Sequence, residues 1–244
     1  MQDLLKDIVS HTHNLGFLNI VKITGTDKTT KIDSMADDRT VVMFGETLNP
    51  QPEMIGIFGM PQLNKLKYNL ECPEYKEDAS IELMTADRNG ETIPVGIHFE
   101  NKAGDFKNDY RFMNTEVINE KIKSTTFRGV KWDVTITPTI SSVQRFSFQA
   151  TANSEHTTFL AKTEGDKLKF IFGDISSHGG EFVFATGIVG TLNKAWAWPV
   201  GPVLSILKIA DVNNTTMQLS NDGALQISLD SGIATYKYII PALT

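Results

Sequence analysis

An internal repeat is the feature of this 244-residue sequence that most limits its fold. In the second half, residues 202–208 form a proline-opened helical segment that leads into an apolar segment, a turn at Asn221-Asp222-Gly223 and two strand-like runs. In the first half, residues 61–67 open in the same way, and a turn at Asn89-Gly90 again separates strand-like runs. Two copies of one helix-plus-hairpin unit predict a duplicated domain.

The apolar residues follow two periods. Helical spacing occurs near the start of each half, at residues 2–15 and 139–152, while most of the remaining segments alternate between apolar and polar residues. The links between the alternating segments are short, which favours antiparallel hairpins over crossover connections. We therefore predict an α+β protein with two similar domains, each an antiparallel sheet with two helices. The predicted domains are 1–113 and 131–244, and the polar segment 114–130 is the predicted connector.

Composition excludes several classes of protein. Hydrophobic residues make up 41% of the chain, enough for a substantial core, and the net charge is −6. Cys72 is the single cysteine, so neither an internal disulfide framework nor a thiolate zinc cluster is expected. No apolar run approaches the length of a membrane span, and the first residues do not resemble a signal peptide. These features favour a reducing cytosol and no membrane partner.

Charge is distributed unevenly along the chain. The predicted helices, about 2–15, 60–70, 138–152 and 201–209, hold five basic and two acidic residues, a net charge of +3, whereas the remainder carries −9. An exposed helix face rich in lysine explains this pattern without any function. The functional interpretation is a helix-lined surface that faces a phosphate backbone, where basic side chains give sequence-independent attraction. The basic residues are Lys6, Lys65, Lys67, Arg145 and Lys208.

The sequence carries no recognisable catalytic or metal-binding pattern. The sequence has no glycine-rich phosphate loop, and His11 and His13 lie two positions apart on a helix, too far round it to share a metal. The run Ser176-Ser177-His178 is interpreted as a glycine-rich turn and Cys72 as a structural thiol. We therefore expect no enzymatic activity, catalytic residue, metal or cofactor.

Four segments resemble one family, and one of them is the predicted helix 60–70, which is similar to the second helix of that family's first domain. Residues 226–242 are similar to its C-terminal strand and apolar–proline tail, residues 109–113 to the end of its first domain, and residues 33–41 to a segment with a Ser-Met pair before an apolar strand. This family is the DNA sliding clamps, the polymerase processivity factors of the proliferating-cell-nuclear-antigen type and the trimeric clamps of tailed phages. The resemblance extends over nearly the whole chain.

The resemblance implies a homotrimeric ring that encircles double-stranded DNA and tethers a DNA polymerase by topology, with a clamp loader as a further partner. A phage-encoded clamp would act in the cytoplasm of the host cell. The helix residues named above would face the DNA. On the first predicted helix, the acidic residues Asp3 and Asp7 flank Lys6. The basic lining of the ring would therefore be sparser than in eukaryotic clamps.

By the same resemblance, two further surfaces are assigned. An apolar pocket would receive peptides from partner proteins, and its residues would be Met35, Arg39, Thr40, Ile118, Ile239, Ile240, Pro241 and Ala242. Subunits would join by pairing strands 107–113 and 180–186, with aromatic side chains packed across the seam: Tyr110, Phe112, Phe182 and Phe184. Ordinary core packing explains these aromatics equally well, and Ile239 and Ile240 also suit the end of a strand.

Two other functions remain open at this point. A ring-forming structural protein of a virion or similar assembly would also use duplicated domains, and an enzyme with an unrecognised site is the third possibility. The charge split and the repeat favour the clamp over the structural protein, and the absence of a catalytic signature disfavours the enzyme.

Overall fold

The structure is a computed structural model that describes residues 1–88, 90–123, 127, 129–174, 176 and 178–243. Asn89 of the first predicted turn, part of the predicted connector and Ser177 of the predicted glycine-rich turn lie outside these residues. The described chain contains five α-helices and fifteen strands. The helices are α1 Gln2–His11, α2 Leu63–Glu71, α3 Thr115–Lys121, α4 Ile140–Ala152 and α5 Val200–Ile209. The strands are β1 Val21–Gly25, β2 Thr30–Met35, β3 Val42–Thr47, β4 Gly56–Met60, β5 Ser80–Arg88, β6 Glu91–Glu100, β7 Lys107–Arg111, β8 Val134–Ile136, β9 Thr158–Glu164, β10 Lys167–Phe172, β11 Gly180–Thr186, β12 Ala197–Pro199, β13 Thr215–Leu219, β14 Ala224–Asp230 and β15 Ala234–Pro241.

The chain divides into two compact units, which confirms the predicted α+β class with two similar domains. Unit 1 comprises Met1–Asp37, Met43–Thr126 and Gly232–Tyr236, and unit 2 comprises Asp38–Val42, Phe127–Ser231 and Lys237–Thr244. Each unit therefore includes a short segment from the other half of the sequence. The simpler division into 1–113, a connector and 131–244 remains a prediction.

Unit 1 contains two antiparallel groups of strands, in the orders β4-β1-β2-β3 and β5-β6-β7. Helices α1 and α2 pack against each other, and their apolar faces bury Leu5, Ile8 and Leu66 completely. Tyr236 also belongs to this unit. Its ring stacks on His11 at 4.4 Å, and its hydroxyl donates to the Asp7 carboxylate at 2.7 Å, so the buried side of α1 carries a polar cluster.

Unit 2 repeats this arrangement with its own residues. Strands follow the order β11-β10-β9-β12, and β8 pairs with β13, which pairs with β14. Helices α4 and α5 contact each other. Phe146 of α4 is fully buried and lies within 5.3 Å of the rings of Phe159 and Phe170. Such edge-to-face aromatic packing adds to the stability from apolar burial.

Helix boundaries differ from the predicted ones for local reasons. Helix α1 ends at His11, because Thr12 leaves the helical region at φ −131°, and a 3₁₀ turn over His13–Leu15 completes the predicted segment. Helix α2 begins at Leu63 because β4 extends to Met60 and Gln62 adopts a left-handed φ of 49°. At α4, Thr139 and Ser142 cap each other's backbone N–H groups, a reciprocal capping box that defines the start of the helix.

The predicted connector contains a helix that its polar sequence did not suggest. Asn114 caps α3 by accepting a hydrogen bond from the Val117 N–H at 3.0 Å. Thr115 donates to the carbonyl of Ile57 in β4 at 2.7 Å, and Ile118 is completely buried beside Gly59 of the same strand. One apolar side chain on a short helix is too weak a periodic signal to identify in the sequence.

Candidate nucleic-acid interface

Two helices of unit 1 present basic side chains to solvent. Lys6 on α1 and Lys65 on α2 are exposed, and no described residue forms an ion pair with either. Lys67 is more restricted, because its ammonium donates to the side chain of Asn14 at 2.9 Å and lies 4.0 Å from Glu71. Lys6 and Lys65 are therefore free to contact an anion, whereas Lys67 is partly occupied within the protein.

The two predicted DNA-facing residues of unit 2 differ in the contacts that they make within the protein. Lys208 lies exposed in the last turn of α5 without a described ion-pair partner. Arg145 on α4 donates to the backbone carbonyl of Val183 at 3.2 Å, and its guanidinium lies 5.5 Å from the centre of the Phe182 ring. Arg145 thus extends towards strand β11 and is anchored there, although it remains exposed to solvent.

The helix charge is slightly smaller than predicted. Helix α2 includes Glu71, so the four long helices carry five basic and three acidic residues, a net charge of +2. Asp7 contributes little to the solvent-facing surface, because its side chain is only 9% exposed and binds Tyr236 and His11. The exposed surface of α1 is therefore more positive than its residue count indicates.

The predicted seam aromatics pack inside their own units. Tyr110 is buried and donates to the carbonyl of Pro61, and burial raises the pKa of its hydroxyl. Phe112 stacks on Phe58 at 4.6 Å. Phe182 and Phe184 join the Phe146 cluster and are 6% and 4% exposed. Core packing thus accounts for these residues, as the alternative interpretation of the sequence allowed.

Strands β7 and β11 are nevertheless the outermost strands of their described sheets. The N–H of Phe112 donates to Val95 in β6, so by antiparallel alternation Asp109 and Arg111 direct their backbone groups away from β6. An exposed aromatic lies on a helix beside each of these strands. Tyr68 of α2 is 73% exposed and lines a groove with β7, and Phe148 of α4, the helix packed on β11, is also 73% exposed.

These two aromatics were missed in the sequence, although a signal was present. Phe146 and Phe148 lie two positions apart on a helix, so the two side chains cannot face the same way. Since Phe146 is in the core, Phe148 must point outward. Tyr68 lies two positions after the buried Leu66 and follows the same rule.

The predicted partner residues divide between the units, and each group is described within its own unit. In unit 1, Met35 is half-buried. The side chain of Ile118 on α3 is fully buried against β4 and therefore does not contribute to an exposed contact surface. In unit 2, Arg39 is exposed with a left-handed φ of 60°. Thr40 beside it donates its N–H and hydroxyl to Asp38 at 3.0 and 2.7 Å, which lowers the pKa of that carboxyl.

The C-terminal tail of unit 2 is apolar, but its two isoleucines are internal. Ile239 is 7% exposed and Ile240 is fully buried, so both are core residues near the end of β15. This agrees with the alternative interpretation of the sequence, in which the two isoleucines lie at the end of a strand. After the strand, Ala242 donates its N–H to Gly223 at 2.8 Å, and Leu243 donates to Ala197 at 2.8 Å. Pro241 and Leu243 are the exposed apolar groups there, and Leu243 is 39% exposed.

Other site types have little support in the described residues. Within them, no group of three or more His, Cys, Asp or Glu side chains is placed to hold a metal ion. No described helix is long and apolar enough to cross a membrane. Cys72 is a free, half-buried thiol at the end of α2.

Comparison with solved structures identifies the fold. No family model matches the chain, and no curated protein matches its sequence. The structure of A. fulgidus PCNA bound to the C-terminal region of FEN-1 aligns with all of this chain and 96% of its own, at a TM-score of 0.71 and 11% identity. PCNA from Thermococcus kodakaraensis aligns with 98% of this chain and 97% of its own, at a TM-score of 0.70 and 12% identity. The chain therefore has the fold of the PCNA-type DNA sliding clamps over its whole length.

Proposed function

We propose that this protein is a sliding clamp that encircles duplex DNA and gives a DNA polymerase its processivity. The observation that carries the proposal is the alignment of the whole chain with whole PCNA chains. Clamps of this type act as scaffolds and not as enzymes, so we expect the chain to have no catalytic activity of its own.

The DNA-facing set comprises Lys6, Lys65, Lys67, Arg145 and Lys208. We expect Lys6, Lys65 and Lys208 to contribute most, because their ammonium groups are exposed and have no described ion-pair partner. Lys67 and Arg145 contribute less, since Asn14 and Val183 already accept their hydrogen bonds. A few mobile phosphate contacts suit a ring that slides, because they carry no base specificity.

The ring is a homotrimer of about 81 kDa, three times the chain mass of 27.1 kDa. Its seam pairs the open edge of β7 in one subunit with that of β11 in the next, which removes two exposed sheet edges. Tyr68 and Phe148 provide the apolar contact beside these strands, in place of the buried aromatics predicted from sequence. Exposed aromatic side chains are typical anchors of protein interfaces.

We expect partner proteins to bind through short apolar peptides. In the aligned structure, the C-terminal region of FEN-1 is bound to A. fulgidus PCNA. Within unit 2 the receiving residues are Arg39, Thr40, Pro241 and Ala242, with Leu243 added for its exposure. Met35 of unit 1 stays a predicted partner residue. Ile118 in unit 1 and Ile239 and Ile240 in unit 2 are buried, so we do not expect them to contact a partner directly. The polymerase and the clamp loader are the expected partners, and the host cytoplasm is the expected location if a phage encodes the chain.

Retention on circular DNA tests the proposal. The protein is bound to a nicked circular plasmid, separated from free protein by gel filtration, and the plasmid is then linearised. A clamp stays on the circle and leaves the linear molecule, because linear ends let the ring slide off. Equal retention on both forms would contradict encirclement and favour a different assembly.

Substitution identifies the DNA-facing residues. We expect Lys65→Ala with Lys208→Ala to reduce the slope of log affinity against log salt by up to about 5, because the trimer loses six lysines and each lost phosphate contact changes the slope by about 0.9. The control replaces two exposed lysines on strands, Lys167→Ala with Lys237→Ala, with the same change in net charge. If both pairs change the slope equally, the helix assignment is wrong.

A further inference from the structure

The two units differ at one sheet edge. In unit 2, β8 covers the outer edge of β13 through the antiparallel pairs Met217 with Ile136, Gln218 with Thr135 and Leu219 with Val134. In unit 1, the corresponding strand is β5, which pairs with β6 on one side and with no described strand on the other. The backbone groups along that outer edge of β5 are therefore available to a further strand.

The apolar side chains of β5 are also less completely covered than those of β13. Ile81 and Leu83 lie opposite Phe99 and Ile97, which are fully buried, so both belong to the core face of the sheet. Ile81 and Leu83 are nevertheless only half-buried. Their counterparts beside β8, Met217 and Leu219, are both 0% exposed. The apolar face of unit 1 is thus incompletely covered at this edge.

A groove borders β5. Its volume is about 600 Å³, and its apolar wall is formed by side chains from β5, β6 and the segments before α1 and β4: Met1, Pro52, Ile55, Ile81, Leu83 and Pro94. Two of the lining residues, Glu53 and Glu82, are acidic and none is basic. Glu82 accepts a hydrogen bond from the Ser80 hydroxyl at 2.7 Å and otherwise faces solvent.

We propose that this groove binds an extended segment of a partner protein, which adds to β5 as an antiparallel strand with the pattern apolar–basic–apolar. The apolar positions follow from β8, whose Val134 and Ile136 are buried against the core while Thr135 lies between them on the opposite face. The basic position follows from the alternation of β5: Glu82 lies between Ile81 and Leu83 and faces the opposite side of the sheet from them. In unit 2, Gln218 lies in the same way between Met217 and Leu219, and it donates to Thr135 of β8 at 3.3 Å. A cross-strand pair of opposite charges is favourable, so Glu82 selects lysine or arginine.

This inference does not depend on the proposed clamp function, because strand addition uses unit 1 alone. Main-chain hydrogen bonds along β5 would provide affinity, and the alternate side chains would provide specificity, as in other cases of strand addition to a sheet edge.

A peptide with the sequence of β8 and its flanking residues provides the probe. It comprises residues 131–138 with Thr135→Lys, and the matched control carries Thr135→Glu at the same position. Binding of each labelled peptide to the whole chain is measured by fluorescence anisotropy. We expect the lysine peptide to bind at least tenfold more tightly, and Glu82→Lys in the protein to reverse the preference. Equal binding of the two peptides, or no binding of either, would overturn the proposal.

A fused strand provides the second test. Residues 131–139 with Thr135→Lys are placed directly before Met1, as β8 precedes α4 in unit 2. We expect the fusion to protect the β5 amides from hydrogen exchange, to raise Tm by about 4 °C and to abolish binding of the free peptide. If β5 exchange and peptide binding remain unchanged in a folded fusion, the groove does not accept a strand.

Discussion

At the scale of single residues, His98 is the clearest pH-sensitive group in the described chain. Its Nδ1 lies 2.7 Å from Asp109 on the edge strand β7, and its Nε2 lies 3.3 Å from Glu100. Lys107 and Arg111 pair with the same two carboxylates, and Glu82 lies opposite His98 on β5. Hydrogen bonds to Asp109 and then Glu100 raise the pKa of His98 above its ordinary value.

The direction of the resulting pH dependence follows from that shift. A raised folded-state pKa means that protonated His98 stabilises the fold fully below about pH 6.5, and that this stabilisation is lost as pH rises through the raised value. We expect His98→Gln to reduce the loss of stability between about pH 6 and pH 8. Urea unfolding at the two pH values measures this difference in the free energy of unfolding. The control is His178→Gln, because His178 is exposed. The prediction fails if both variants keep the wild-type difference.

At the scale of elements, helix α3 shows how one side chain holds a connecting segment. Ile118 packs against β4 so closely that a Cβ on Gly59 would lie 2.7 Å from its Cδ1, which explains the glycine at that position. The neighbouring Val117 is 39% exposed on the same helix. Ile118 is therefore a core residue of unit 1, although the family resemblance implied a place for it in a partner surface.

Truncation of Ile118 and of Val117 distinguishes a buried side chain that holds α3 in place from an exposed one on the same helix. We expect Ile118→Ala to lower the free energy of unfolding by about 2–5 kcal/mol, because it removes buried methylene groups and leaves a cavity. Val117→Ala serves as the control and should change it by less than about 0.5 kcal/mol. Chemical denaturation measures both. Equal effects of the two substitutions would mean that α3 is not held by Ile118.

At the scale of the whole molecule, the proposed ring depends on aromatics that each unit leaves exposed. Phe148→Asp should convert a trimer of about 81 kDa into a monomer of 27.1 kDa, because it places a charge in a desolvated contact. Light scattering over a dilution series measures the mass. Leu48→Asp is the control, since Leu48 is 50% exposed after β3, a strand that does not belong to the proposed seam. A Phe148→Asp trimer that survives dilution would place the seam elsewhere.

Much of the fold was predictable because it depends on short-range patterns. Alternating residues and hairpin-length links indicated antiparallel sheets, and the repeat indicated two similar domains, which the structure confirms. Helix α3 was not predictable, since its stability comes from an Asn114 cap and one buried isoleucine rather than from a periodic apolar face.

The candidate site was less predictable than the fold. The sequence by itself determined which basic residues lie on helices, because helical spacing is encoded locally. Only the tertiary structure decided which side chains remain available: Lys67 and Arg145 acquire hydrogen-bond partners distant in sequence, Tyr110 and Phe184 enter the core, and Tyr68 and Phe148 remain outside. The physical reason is that exposure depends on which other elements cover a face, and that covering is set by contacts between residues far apart in the chain.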